Sequence, residues 1–192
     1  MQWRDLQLES LEQRHGTRGV RGTYLLINSG IAIAVMAGLA MATKQPFAFP
    51  SLGPTAFLVF YQPLAANAAP RSAFFGHLIG VCAGYLGLVI FGLTKVPPNL
   101  EAVDLARVGC MAFALAVTLS LMVWLGVPHA PAGATTLIVA TGLMRTPHQL
   151  LILMAAVVLL LVQAFVINRL AGVPYPVWSP TPTPATPSGA PT

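Results

Sequence analysis

Pro50-Ser51-Leu52-Gly53-Pro54-Thr55-Ala56-Phe57-Leu58-Val59-Phe60 has a counterpart later in the chain, Pro128-His129-Ala130-Pro131-Ala132-Gly133-Ala134-Thr135-Thr136-Leu137-Ile138-Val139-Ala140. Setting Gly53 against Gly133 also pairs Thr55 with Thr135, Phe57 with Leu137 and Val59 with Val139. Each stretch opens on helix-breaking residues and continues for about ten apolar ones, too few to span a bilayer and too apolar for a solvated loop. A re-entrant half-helix satisfies both facts. The alternative, an amphipathic helix on the membrane surface, ordinarily carries a Lys/Arg-rich face that these stretches lack. The start signals are clear. Ser51 or Gly53 can cap, Pro54 suits a first helical turn, and Pro131 keeps the incoming chain from being helical.

Around these stretches lie four apolar runs, at about residues 24–43, 72–94, 105–127 and 149–169. Each reaches the ~20 residues that a membrane-spanning helix needs. The whole chain of 192 residues is 56% hydrophobic and only 8% charged, whereas soluble domains carry about 25% charged residues. That balance excludes a soluble enzyme, a disordered chain and a nucleic-acid binder. The reading is an all-α membrane protein of four transmembrane helices plus two re-entrant half-helices, arranged as an internal repeat. Residues 1–22 form an N-terminal segment, in which Trp3, Leu6 and Leu11 can share one face of a short interfacial helix. Residues 23–172 form the transmembrane domain, with repeat one over 23–94 and repeat two over 105–170. Residues 173–192, rich in proline, form an extended or disordered tail. Cys82 and Cys110 are small packing residues rather than a disulfide framework.

Four spans put both termini on one side. If that side is cytoplasmic, seven basic residues lie inside (Arg4, Arg14, Arg18, Arg21, Lys95, Arg107, Arg169) and three outside (Lys44, Arg71, Arg145). This fits the positive-inside rule, and a bacterial inner membrane. Small residues every fourth position, Gly76, Gly80 and Gly84 in span two and Gly30, Ala34, Gly38 and Ala42 in span one, allow close helix packing. They predict that these two spans meet, or that the glycine ridge serves a homo-oligomer. Span four, nearly all Leu, Val, Ile and Ala, is expected to face lipid or another subunit.

All five acidic residues, Asp5, Glu9, Glu12, Glu101 and Asp104, fall outside the spans and the half-helices. Cation channels and proton pumps ordinarily place carboxylates in the membrane. A helix N-terminus instead carries partial positive charge and binds anions. The expected substrate-binding residues are therefore Ser51, Gly53, Pro54, Thr55, His129, Gly133, Ala134, Thr135 and Thr136, through hydroxyls and backbone N–H groups. His129 is either a donor to this cavity, titrating between about pH 5 and 8, or a clasp on a loop carbonyl. Arg71 and His77 are accessory candidates. His77 lies within span two, and Arg71 at its mouth either gathers anions or snorkels to headgroups. Arg145 and His148 read as interfacial anchors. No metal or cofactor is implied.

These motifs resemble the HPP family of small integral membrane proteins, named for a His-Pro-Pro motif. The resemblance runs from span one through span four. It is carried by residues 50–56, by Pro70-Arg71 with Gly76-His77, and by His129-Ala130-Pro131-Ala132-Gly133-Ala134-Thr135, in which alanine replaces the signature's first proline. Relatives in chloroplasts and cyanobacteria are associated with nitrite transport. The resemblance thus implies a channel or carrier for a small inorganic anion, nitrite first. A non-transporting membrane subunit or scaffold is the alternative. An enzyme is not expected, because no His-x-x-x-His spacing, nucleophile elbow or intramembrane carboxylate occurs.

Overall fold

The computed structural model describes residues 7–180, and the regular structure over them is all helical. In chain order the helices are α1 (Leu8–His15), α2 (Thr17–Thr43), α3 (Leu52–Tyr61), α4 (Pro70–Ile90), α5 (Leu105–Trp124), α6 (Ala132–Ala140) and α7 (Pro147–Leu170). A 3-10 turn, Ala66–Ala68, precedes α4. Among the described residues, four helices are long and apolar enough to cross a membrane: α2, α4, α5 and α7. The chain is an integral membrane protein. The two Gly-x-Thr stretches form the short helices α3 and α6. Leu11 lies on α1, while Trp3 and Leu6 lie outside the described residues.

Two spans end earlier than hydropathy indicates. Gly92 and Gly126 take φ of +70° and +62°, the left-handed conformation that stops a helix and favours glycine. The next residues then bond back, Leu93 N–H to Leu88 O at 2.7 Å and Val127 N–H to Met122 O at 2.9 Å. These bonds satisfy carbonyls that the helix end would leave open. Apolar residues follow both glycines, so hydropathy alone overruns the stop.

Side-chain neighbours fix the helix directions. A Cβ placed on Gly76, Gly80 and Gly84 would meet Ala132, Thr136 and Val139 in turn, so α4 and α6 run parallel. Gly76 faces Met122 and Gly87 faces Cys110, so α5 runs against α4. Tyr24 bonds Asn168 and Met36 meets Gln163, so α2 runs against α7. Pro70 and Phe74, at the start of α4, share a surface crevice with Val162 and Phe165, late in α7. Hence α4 also runs against α7.

It follows that α2 and α4 point one way, and α5 and α7 the other. Four spans with re-entrant turns would make α2 and α4 antiparallel. The chain instead traverses the bundle between them, first in the irregular residues 44–51 and then in α3. It traverses again between α5 and α7, through residues 125–131 and α6. Eight extended residues reach as far as ~26 Å, so a non-helical lead-in plus a short helix is long enough. A ten-residue apolar run has the same hydropathy whether it turns back or continues, which is why the sequence reading missed this.

This topology also moves charges between ends. Among the described residues, Arg14, Arg18, Arg21, Arg71 and Arg169 lie at the end where α2 begins, and Lys44, Lys95, Arg107 and Arg145 lie at the opposite end. The sequence-based asymmetry shrinks to near balance.

The glycine ridge of α4 packs on α6 and not on α2. A Cβ at Gly84 would lie 2.7 Å from Val139 Cβ, and one at Gly80 2.9 Å from Ala132 O. Gly30 and Gly38 of α2 have no atom within 4 Å of such a position. The last helix is no lipid-facing rod. Leu153, Ala156, Val157, Leu160 and Ala164 of α7 are fully buried, while Leu151 and Val162 face out.

The proline-rich tail is docked over its first residues. Tyr175 is completely buried and donates to Ala68 O at 2.7 Å. Arg71 N–H bonds Trp178 O at 3.0 Å, and the Trp178 ring packs on Phe74 and Phe75. Burial pushes the Tyr175 hydroxyl above its usual range. Residues 181–192 lie outside the described residues.

Candidate functional site

The two short helices start beside one another, and one imidazole joins them. His77, on α4, contacts Thr55 Oγ1 of α3 through Nε2 at 3.0 Å. Its Nδ1 contacts Thr135 Oγ1 of α6 at 2.7 Å. Glycine at position 76 lets α6 approach closely enough, because a Cβ there would lie 2.8 Å from His129 Cβ.

His129 completes the cluster. Its Nε2 lies 3.2 Å from Thr55 Oγ1 and its Nδ1 2.7 Å from Asn67 O, in the 3-10 turn before α4. The two imidazole rings cross at 61° with centroids 4.9 Å apart. Thr55 also donates to Ser51 O at 3.0 Å. Ser51, Thr55, His77, His129 and Thr135 are all shut off from solvent. Ser51 Oγ has no hydrogen-bond partner, which is costly for a buried hydroxyl and leaves a free donor at the start of α3.

His129 is completely buried, with Thr55 and the Asn67 carbonyl as its hydrogen-bond partners and no carboxylate among them. The clasp and the donor are moreover one residue, since His129 holds the Asn67 carbonyl with one nitrogen and Thr55 with the other.

The remaining expected residues lie elsewhere. Gly53 and Pro54 are exposed, and Gly133 and Ala134 half-exposed. The N–H groups of Ala132, Gly133 and Ala134 bond back to the carbonyls of His129, Ala130 and Pro131 at 3.0–3.1 Å. Those backbone donors, expected to hold an anion, are thus already used. Thr136 turns to α5, bonding Thr118 Oγ1 at 3.0 Å. Arg71 sits half-buried in the first turn of α4.

Two further polar residues serve the opposite ends of the short helices. Asn168 of α7 donates to Val59 O at 3.0 Å and accepts from Tyr24. Arg107 of α5 donates to Ala140 O at 3.2 Å. Both are buried, and both satisfy carbonyls that a short helix leaves open. A cation suits the negative end of α6. A lone polar residue inside or beside an apolar run was the available signal, but only the fold supplies its partner.

No curated protein and no solved structure matches this chain. The family model described as HPP, transmembrane region, matches residues 18–176, a stretch that contains both short helices, the histidine pair and the docked Tyr175. This protein belongs to the HPP family.

Proposed function

We propose that this protein transports a small monovalent anion, with nitrite the leading substrate, past the junction of α3 and α6. The observation that carries the reading is a buried cluster of two histidines and two threonines, with a loose serine hydroxyl and no carboxylate. Such a cluster can donate to an anion, and it lacks the carboxylates that cation pathways ordinarily place in the membrane. Two three-helix units of opposite direction, α2–α4 and α5–α7, fit the inverted repeats of many transporters. In that architecture discontinuous helices meet near the membrane centre with their N-termini toward an anionic group. The side-chain hydroxyl of Ser51 replaces the backbone N–H groups as the donor, while Thr55 and Thr135 hold the imidazoles in place. In this reading both termini are cytoplasmic, with Arg14, Arg18 and Arg21 beside the first span as the orienting charges. The open small-residue face of α2 makes a homo-oligomer part of the proposal.

Flux into liposomes containing purified protein tests it. Nitrite uptake above that of protein-free vesicles is expected. Thr135→Val keeps the shape and removes the hydroxyl that orients His77, weakening anion binding by roughly 1–3 kcal/mol. Folded wild-type protein that passes no small anion overturns the transport reading. A folded Thr135→Val variant at the wild-type rate moves the path away from this junction.

A further inference from the structure

The hydrogen bonds of the histidine–threonine cluster do not add up in its neutral form. Five contacts need five hydrogens: Thr55 to Ser51 O, His77 and His129, His77 to Thr135, and His129 to Asn67 O. Two neutral imidazoles and two hydroxyls supply only one hydrogen each. Carbonyl oxygens only accept, so Nδ1 of His129 must carry its hydrogen toward Asn67 O. Nε2 of His129 is then bare and needs the Thr55 hydrogen, which Ser51 O also claims. A proton added at His129 Nε2 closes the set. Both histidines then donate to the two lone pairs of Thr55, Thr55 donates to Ser51 O, and Thr135 donates to His77 Nδ1. A proton added at His77 instead leaves the competition at Thr55 unresolved.

We propose that the cluster binds its anion together with one proton, held on Nε2 of His129, so that the anion moves as a neutral pair with that proton. This rests on the transport reading and specifies its coupling. The electrostatics favour joint entry. An imidazolium buried alone is strongly disfavoured, and His129 is completely buried. An anion buried alone meets the same penalty. Together they cancel, and Ser51 Oγ, fully buried and without a partner, is a donor left for the anion.

The groups around His129 leave no other counter-charge. His77 on α4 is the titratable side chain in direct contact. Arg71 on α4 is half-buried in the first turn, and Cys82 and Tyr85 lie beyond His77. On α5, Arg107 and Cys110 bond Ala140 O, at the far end of α6. On α3, Tyr61 is exposed at the opposite end from Thr55. Tyr175 is bonded to Ala68 O, and α6 carries no titratable side chain.

The experiment uses full-length protein in liposomes loaded with a pH dye, with the membrane potential clamped and protein-free vesicles subtracted. Nitrite is added outside at several external pH values. The expected result is nitrite uptake with internal acidification, close to one proton per nitrite and insensitive to voltage. Subsaturated uptake should rise about tenfold per unit fall in pH, as linkage to one proton requires. Thr55→Val removes the contested hydroxyl, and His129→Gln keeps a polar side chain that cannot titrate. Folded forms of either should lose the pH slope. Voltage-driven uptake without acidification overturns the proton pairing and leaves the transport reading standing. No protein-dependent uptake at any pH overturns both. A full pH slope in folded His129→Gln assigns the proton to another group and overturns the proposal.

Discussion

The two short helices are alike in pattern and unlike in setting. Along residues 51–60 and 131–140 burial follows nearly the same rhythm, with Thr55 and Thr135 at matching buried positions and Phe57 and Leu137 both exposed. Yet α6 starts from a tight turn in which the N–H groups of Ala132, Gly133, Ala134 and Thr135 are all bonded, and it lies along the glycine ridge of α4. Helix α3 starts with an unpartnered Ser51 hydroxyl and leaves Gly53 and Pro54 exposed. Its far end is held by Asn168, where α6 has Arg107. One half of the site is therefore a fixed wall and the other the looser face. In a closed site, any opening that admits an ion falls most cheaply on the side with fewer bonds to break.

The strongest way to break this contrast is at the wall. A side chain at Gly84 would meet Val139 Cβ at 2.7 Å and Thr136 O at 3.1 Å, and backbone cannot move aside cheaply. Gly84→Leu should cost about 3 kcal/mol or more, read as a lower melting temperature in detergent and loss of monodisperse protein. If this variant melts with the wild type, α4 and α6 are not the rigid pair.

Acid should act next, through His129. It is completely buried, so a proton there carries a desolvation cost that the unfolded chain does not bear. Stability should therefore fall as the pH drops below the ordinary histidine range. Melting temperature against pH, wild type compared with His129→Gln, isolates it from the exposed carboxylates. Nitrite should offset the loss in the wild type, since it supplies the missing counter-charge. Equal acid profiles for the two proteins would show that His129 is not held neutral by burial.

Much of this was legible in the sequence. Four long helices followed from hydropathy, and two short ones from a repeated Gly-x-Thr behind prolines. Thr55 and Thr135 stand out in the repeated motif, His77 within an apolar span and His129 just before the second motif. The direction of each short helix was not legible, because length and hydropathy carry no sign. Nor was the role of individual hydroxyls. Thr135 and Thr136 are adjacent in sequence, yet their helical spacing sends one to His77 and the other to Thr118. Asn168 and Arg107 needed partners more than 30 residues away. Tyr175 was hidden in a proline-rich segment whose composition matches a free tail.

The smallest expected effect sharpens the comparison most. Gly53 and Gly133 hold equivalent places on the two short helices, and the sequence reading set both against the ion. A Cβ on Gly53 would meet nothing within 4 Å, and one on Gly133 only Leu115 Cδ1 at 3.5 Å, an ordinary contact. Neither glycine has positive φ. Alanine should therefore fit at both, and should stabilise each helix by about 0.5–1 kcal/mol through its better propensity. Nitrite flux per folded molecule should stay within a factor of two of wild type for Gly133→Ala, because the wall already has its final shape. At Gly53→Ala any change should be in rate rather than affinity, because the stiffened element is the one with bonds free to move. A loss of affinity in either variant would place the ion along the glycine faces and away from the histidines, and would restore the backbone donors as the binding groups.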